Sequence, residues 1–222
     1  MIKLIPAIDI IDGRCVRLTK GNYNEKTIYH ENPVDVAKEF EQLGLTRLHL
    51  VDLDGAKSDH VININVLKAI STQTNLHIDF SGGIKSDSDI KDVFNNGAKM
   101  VTIGSVAVNN PDLFNKWIKE YGPQKIILGA DIKNGSIAIN GWKDETKKSI
   151  YSFLEHYISL GIINILCTDI TKDGTLSGPA YNLYTEILRR FPEINLIASG
   201  GVSSNEDIIN LDKLGVKAVV FG

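Results

Sequence analysis

The chain is poor in the residues that build staples and sensors: 222 residues contain two cysteines, two methionines, two tryptophans and six prolines. Cys15 and Cys167 stand far apart without metal-ligand spacing, so they are expected as two free, buried thiols of a cytoplasmic protein rather than as a disulfide framework. His30, His49, His60, His77 and His156 show no zinc spacing either, and no metal is expected. No apolar run approaches the roughly 20 residues that span a membrane. The start, Met1-Ile2-Lys3-Leu4-Ile5-Pro6, lacks the architecture of a secretory signal. An excess of one charge is missing too. Lys and Arg number 24 against 27 Asp and Glu, a net charge of −3, which leaves no broad basic field for nucleic acid or an acidic membrane. What is present is an apolar share of 43% and a charged share of 23%, close to the average for a globular domain.

The sequence also repeats itself. Residues 81–104 and 199–222 agree without a gap at 10 of 24 positions, at a constant offset of 118. The shared positions include Ser81-Gly82-Gly83, Ser86, Asp89 and Gly104, matched by Ser199-Gly200-Gly201, Ser204, Asp207 and Gly222. An internal repeat constrains the fold before any other signal does.

Apolar runs read as strands over Lys3–Ile8, Arg47–Leu53, Leu76–Phe80, Met100–Ile103, Lys125–Ala130, Ile162–Cys167, Asn195–Ala198 and Lys217–Phe221. They are continuous rather than alternating, as in parallel strands covered on both faces. Helices are predicted over Pro33–Leu43, Pro111–Glu120, Ser149–Leu160 and Pro179–Arg190, and in both repeat segments after Ser86 and Ser204, where capping-box-like starts stand. A β-α alternation of eight strands allows a doubly wound sheet or a closed barrel. The repeat favours the barrel. Pro6-Ala7-Ile8-Asp9 is echoed by Leu128-Gly129-Ala130-Asp131, followed by the turns Asp12-Gly13 and Asn134-Gly135 and short β-branched runs. Val51-Asp52 is echoed by Thr168-Asp169. The expectation is one α/β domain over 1–222, a (β/α)8 TIM barrel of two half-barrels, about 1–122 and 123–222, with no eighth helix after the last strand.

Barrel active sites lie at the C-terminal strand ends. Asp9 and Asp131 end strands one and five, which face each other across an eight-stranded barrel. Two facing carboxylates perform general acid–base chemistry when their surroundings separate their pKa values; the residues alone leave open which gives the proton and which takes it. The Gly82-Gly83 and Gly200-Gly201 pairs, with capped helix starts and the strand ends at Gly104-Ser105 and Gly222, read as two anion sites. The ligand is then an elongated molecule with a phosphate at each end. Two readings stand for Thr168, Asp169 and Asp173, positioning of substrate or a capped loop. Two also stand for Trp142, closure over a ring or anchorage of its own loop. His49 reads first as packing and second as a ligand contact.

The motifs Ile5-Pro6-Ala7-Ile8-Asp9, Asp12-Gly13-Arg14-Cys15-Val16-Arg17-Leu18 and Lys20-Gly21-Asn22-Tyr23 resemble the ProFAR isomerase family of histidine biosynthesis. So do Leu48-His49-Leu50-Val51-Asp52-Leu53-Asp54-Gly55-Ala56, Ile103-Gly104-Ser105, Thr168–Gly178 and Ala198-Ser199-Gly200-Gly201-Val202. The resemblance covers essentially the whole chain. It implies an Amadori rearrangement of a bisphosphorylated aminoaldose to an aminoketose, with Asp131 as the acid, Asp9 as the base and Thr168 assisting. It implies substrate contacts at Gly21 and Asp173 in addition to the glycines above, and no cofactor. A monomer without nucleic-acid or membrane partners is expected. Ser81 stands where the family more usually has a third glycine, which requires φ < 0 there. The alternatives are the sister cyclase that uses ammonia from a glutaminase, a dual-substrate isomerase that also acts on phosphoribosylanthranilate, and a non-catalytic phosphosugar-binding barrel. The cyclase is expected to carry a lysine on the first hairpin, where this chain has Arg17-Leu18, and to lack the Asp52–Gly55 run.

Overall fold

The computed structural model describes residues 1–19, 21–133, 136–139, 142 and 144–222, with the side chains of 19, 24 and 144–148 excepted. The expected turn at Asn134-Gly135 lies outside the described residues. In chain order the elements are β1 (Lys3–Ile11), β2 (Arg14–Thr19), β3 (Asn22–His30), α1 (Pro33–Gln42), β4 (Arg47–Asp52), α2 (Leu53–Lys57), α3 (Ile64–Gln73), β5 (His77–Ser81), α4 (Asp87–Asn95), β6 (Met100–Ile103), α5 (Ser105–Asn109) and α6 (Pro111–Tyr121). There follow β7 (Ile126–Lys133), β8 (Ser136–Ile139), β9 (Asp144–Ser149), α7 (Ile150–Ser159), β10 (Asn164–Asp169), α8 (Tyr181–Arg190), β11 (Asn195–Ser199), α9 (Asn205–Leu214) and β12 (Ala218–Phe221). The fold is of the (β/α)8 TIM-barrel class, with β1, β4, β5, β6, β7, β10, β11 and β12 as its parallel strands.

The chain divides into two compact units. One comprises Ile5–Leu18, Asn22–Ile103 and Gly222; the other comprises Met1–Leu4, Thr19–Gly21 and Gly104–Phe221. In the first unit β1 pairs in parallel with β4, β4 with β5 and β5 with β6. In the second, β7 pairs with β10, β10 with β11 and β11 with β12. The first strand of each set overruns its aspartate by two residues and turns back into an antiparallel partner, β2 or β8. The overrun pairs on both sides: Ile10 with Asp52 of β4 and Cys15 of β2, and Ile132 with Asp169 of β10 and Ile137 of β8. Asp12 and Gly13, both at positive φ (53° and 73°), form the primed turn that suits a two-residue hairpin.

Local signals account for the helices found from sequence. Asn32 caps α1, and Pro33 occupies its first position, where no N–H is needed. Ser86 and Asp89 form a reciprocal capping box on α4, as Ser204 and Asp207 do on α9, which Gly215 ends in the left-handed conformation. The helix α3 escapes sequence reading: Asn63 caps it without a side-chain bond, and no glycine stops it. The strands bury Leu48, Leu50, Ile78, Phe80 and Val101 in the first unit and Ile126, Leu128, Ile165 and Leu196 in the second. Tyr157 anchors the helical layer of the second unit. Its ring meets Phe114 and Phe153 edge-on at 4.9 and 5.3 Å, and its hydroxyl donates to the Ala107 carbonyl.

Candidate active site

In the first unit Asp9 stands half-buried on β1, opposite Val16 of the hairpin and Val51 of β4. Its charge reaches the surrounding acids. The Cys15 thiol is pushed up to about 11, by burial first, with the Tyr29 hydrogen bond opposing and the Asp9 charge adding. Tyr23 rises to about 12 through burial and the charges of Asp9, Asp54 and Asp52. The Tyr23 hydroxyl donates to the Leu53 carbonyl, and Lys57 lies 3.2 Å over its ring.

Asp52 ends β4 and is fully buried. Its carboxylate accepts from the backbone N–H groups of Gly55 (2.9 Å), Ile62 (2.7 Å) and Asn63 (2.9 Å) and from the Asn63 amide (2.6 Å). The loop after β4 is thus wound around one carboxylate. Asp54 receives the Asp12 N–H at 2.7 Å and the Asn63 amide at 2.9 Å, tying the hairpin turn to the same loop. The glycine pair follows on the next strand. Gly82 adopts φ +93°, and a Cβ there would lie 2.1 Å from the Asp52 carbonyl oxygen. The crowding that demands glycine therefore comes from the neighbouring strand end. Ser81 is not among the described non-glycine residues with positive φ, which are Asp12, Trp142 and Leu176; the conformation its extra side chain requires is met.

The second unit repeats the device. Gly200 has φ +87°, with a Cβ position 3.1 Å from the Asp169 carbonyl, and Gly201 meets the Gly178 carbonyl at 2.4 Å. Asp169 differs from Asp52: it is half-buried and accepts the backbone N–H and hydroxyl of Thr171, a locally capped loop. Asp131 lies opposite Thr168 in register. The indole N–H of Trp142 donates to its carboxylate at 2.8 Å. The same indole covers Gly21, whose Cβ would come within 2.5 Å of the ring. Trp142 thus joins the candidate acid to the Gly21 backbone, which sequence reading placed on separate loops. Asp173 donates its backbone N–H to the Asp169 carbonyl at 3.1 Å.

Gly104 precedes α5, and a Cβ there would meet the Gly129 carbonyl only at 3.5 Å. Gly222 stands against Ala7, with the Arg17 guanidinium 3.9 Å from its Cβ position. Arg17 is a cation that sequence reading did not assign to the site; its place on the first hairpin was the available signal. Buried His49 meets Asp79 through Nδ1 at 2.5 Å, which satisfies the packing reading. Asp79 was missed, although a lone carboxylate in the apolar run of β5 marked it. Among the described residues no cluster of three or more His, Cys, Asp or Glu is arranged for a metal ion, and no helix is long and apolar enough to cross a membrane.

Both cysteines are free and fully buried, and burial raises the Cys167 thiol as well, with Asp131 and Asp169 adding. A thiol-specific reagent at pH 8 is expected to label neither in the native protein and both after unfolding. Because the unfolded thiol ionises near 9 and folded Cys15 near 11, the unfolded state binds fewer protons between those values. Stability is expected to fall there by up to about 1.4 kcal/mol per pH unit for each such group, measurable by urea titration.

A (β/α)8 barrel with duplicated glycine turns and equivalent strand-borne carboxylates is a phosphosugar-enzyme architecture. The family model for histidine biosynthesis proteins matches residues 3–222, and the chain belongs to that family. It is 59% identical over 222 residues to a protein of Phocaeicola vulgatus and 60% identical to one of Bacteroides fragilis, in each case over all of this chain and 93% of the relative. A Flavobacterium psychrophilum protein is 53% identical over 221 residues, 92% of its length. All three are named as 1-(5-phosphoribosyl)-5-((5-phosphoribosylamino)methylideneamino) imidazole-4-carboxamide isomerases.

Proposed function

We propose that this chain is the isomerase of histidine biosynthesis that converts the aminoaldose ProFAR to the aminoketose PRFAR. It belongs to that biosynthetic family over nearly its full length, and relatives at 50–60% identity carry the isomerase name. The observation that carries the chemistry is the pair Asp9 and Asp131, set at equivalent positions of two repeated units, each two residues before its strand ends. Asp131 protonates the ribose ring oxygen, the C1–O bond breaks, and the substrate's own amine nitrogen becomes the iminium of an open Schiff base. Asp9 removes the C2 proton to leave an enolamine, which tautomerises to the ketose. The imine is built within the substrate, so the sequence of steps needs no cofactor. Thr168, beside Asp131, assists the acid.

The glycine turns at Gly82-Gly83 and Gly200-Gly201, with Gly104-Ser105 and Gly222, receive the two phosphates. Arg17 adds a cation beside Gly222. Gly21, His49, Trp142 and Asp173 complete the substrate contacts. The protein acts as a monomer in the cytoplasm. Purified protein is assayed with ProFAR and, separately, with PRFAR plus ammonia. ProFAR turnover supports the isomerase; turnover of PRFAR alone would overturn it in favour of the cyclase.

A further inference from the structure

The loop after β4 lies between two parts of the first unit that the proposed chemistry uses. On one side is the glycine turn. A Cβ on Gly82 would run into the Asp52 carbonyl, and one on Gly83 would lie 2.9 Å from the Gly55 Cα. On the other side is the hairpin that leaves β1 just after Asp9 and turns at Asp12 and Gly13. Asn63 joins the two. Its amide nitrogen donates to Asp52 at 2.6 Å and to Asp54 at 2.9 Å, and Asp54 accepts the Asp12 N–H at 2.7 Å. A line of direct contacts thus runs from the glycine turn through Asp52, Asn63 and Asp54 to the hairpin, all within one compact unit.

Asn63 makes this link instead of serving its own helix. It stands at the N-cap of α3, where an asparagine side chain ordinarily accepts a backbone N–H of the first turn. Asn32 does so for α1, taking the Val34 N–H at 3.1 Å. Asn63 makes no such bond; its amide nitrogen serves the two carboxylates. A local cap is given up for a connection between loops. The hairpin also packs on the same loop. Ile11, Val16 and Leu18 form a small buried cluster with Tyr23 and Leu53 against it, and the Tyr23 hydroxyl donates to the Leu53 carbonyl. Apolar packing seats the hairpin but is not directional. The bond from Asp12 to Asp54 fixes where its turn stands. The ion pairs Lys26–Asp12 and Arg14–Glu31 tie parts of the hairpin and its following strand to one another, not to the loop.

We propose that Asp54 and Asn63 are positioning residues that hold the Asp9 hairpin at a fixed distance from the Gly82-Gly83 turn. The inference rests on the isomerase reading. In that reading one phosphate sits at the glycine turn and Asp9 takes the C2 proton. The distance between turn and carboxylate then decides whether the anchored substrate meets its base. Binding energy at a remote phosphate serves proton removal only when the two places are firmly connected. Both residues act through Asp9. The bond between Asp12 and Asp54 lies at the surface, where a single hydrogen bond adds little to stability, so its loss falls on the rate.

The test is Asp54→Ala, assayed with ProFAR as kcat per folded molecule. The variant is expected to lose about ten- to a hundredfold in kcat, the effect of a small misplacement at the reacting atoms. KM is expected to change by less than about threefold, because the loss falls on the chemical step. Asp54→Asn keeps an oxygen for the Asp12 N–H and is expected to retain several-fold more activity than Asp54→Ala. Wild-type kcat in folded Asp54→Ala, a change in KM alone, or equal rates in the two variants would each overturn the proposal. Asn63→Ser keeps a capping hydroxyl for α3 but cannot reach both carboxylates. It is expected to show the same split of kcat from KM and to add little to Asp54→Ala in the double variant, since both break one link. Fully additive losses would overturn the link; if Asn63→Ser does not fold, the two Asp54 variants decide alone. Amide hydrogen exchange reads the link without catalysis. The Asp12 N–H is expected to exchange about tenfold or more faster in Asp54→Ala than in wild type, and equal exchange would overturn the proposal. Failure of wild type to turn over ProFAR would refute the isomerase reading, while the exchange would still decide whether Asp54 holds the hairpin.

Discussion

Asp9→Asn is expected to lower kcat for ProFAR by about a thousandfold or more while changing substrate affinity by less than about tenfold. A positioned acid or base contributes about two to four orders of magnitude to a rate. Asn has the shape of Asp but cannot take the C2 proton, so the loss falls on the chemical step. Affinity should survive because, on the proposed reading, the binding energy resides mainly in the two phosphates at the glycine turns rather than at Asp9. Steady-state kinetics together with calorimetric binding separates the two effects. A variant that turned over like wild type would remove Asp9 from the mechanism and favour a non-catalytic phosphosugar-binding barrel. Asp131→Asn should be similarly inactive, because its amide cannot protonate the ring oxygen.

The largest expected effect on stability belongs to a residue outside the chemistry. Asp52→Ala is expected to cost about 3–5 kcal/mol, in line with the loss of one partner from a buried charged network. The carboxylate is fully buried and accepts four hydrogen bonds, three from backbone N–H groups of the loop after β4. Alanine leaves those donors without an acceptor, in a place where Gly82 is packed against the Asp52 backbone and little rearrangement is possible. At roughly 2–4 °C per kcal/mol for a chain of this size, the melting temperature should fall by about 10 °C. The repeat supplies an internal control. Asp169 occupies the equivalent position but is half-buried, and among the bonds described its carboxylate accepts only from Thr171. Asp169→Ala is therefore expected to cost about 1 kcal/mol, the worth of a local cap. Equal losses at the two positions, measured by urea denaturation, would contradict burial as the cause.

Much of the fold was legible because its signals are local. Ser86 and Ser204 cap the helices they were expected to cap, and both repeated glycine pairs adopt positive φ. Elements without such punctuation were missed: α3 has no side-chain cap bond, α2 and α5 are five-residue helices, and among the described residues β3 pairs only with β2. The candidate site divides in the same way. Asp9, Asp131 and both glycine turns were visible as repeated residues. The contacts of Trp142 with Asp131 and Gly21 were not, since they join residues 11 apart in one direction and over a hundred in the other.

By itself the sequence determined the repeat, the eight-strand alternation and the identity of the paired carboxylates, because each is written in neighbouring residues or at a constant offset. Only the tertiary structure decided what lies under each carboxylate. His49 and Asp79 are 30 residues apart and meet because β4 and β5 align in one register; a slip of one residue would send either side chain to the other face. That register places the buried His49–Asp79 pair one layer beneath Asp9, while the matching register of β10 and β11 places Leu166 beside Ile197. The symmetry of the repeat is broken there by burial and polarity, which depend on the packed strands rather than on the motifs.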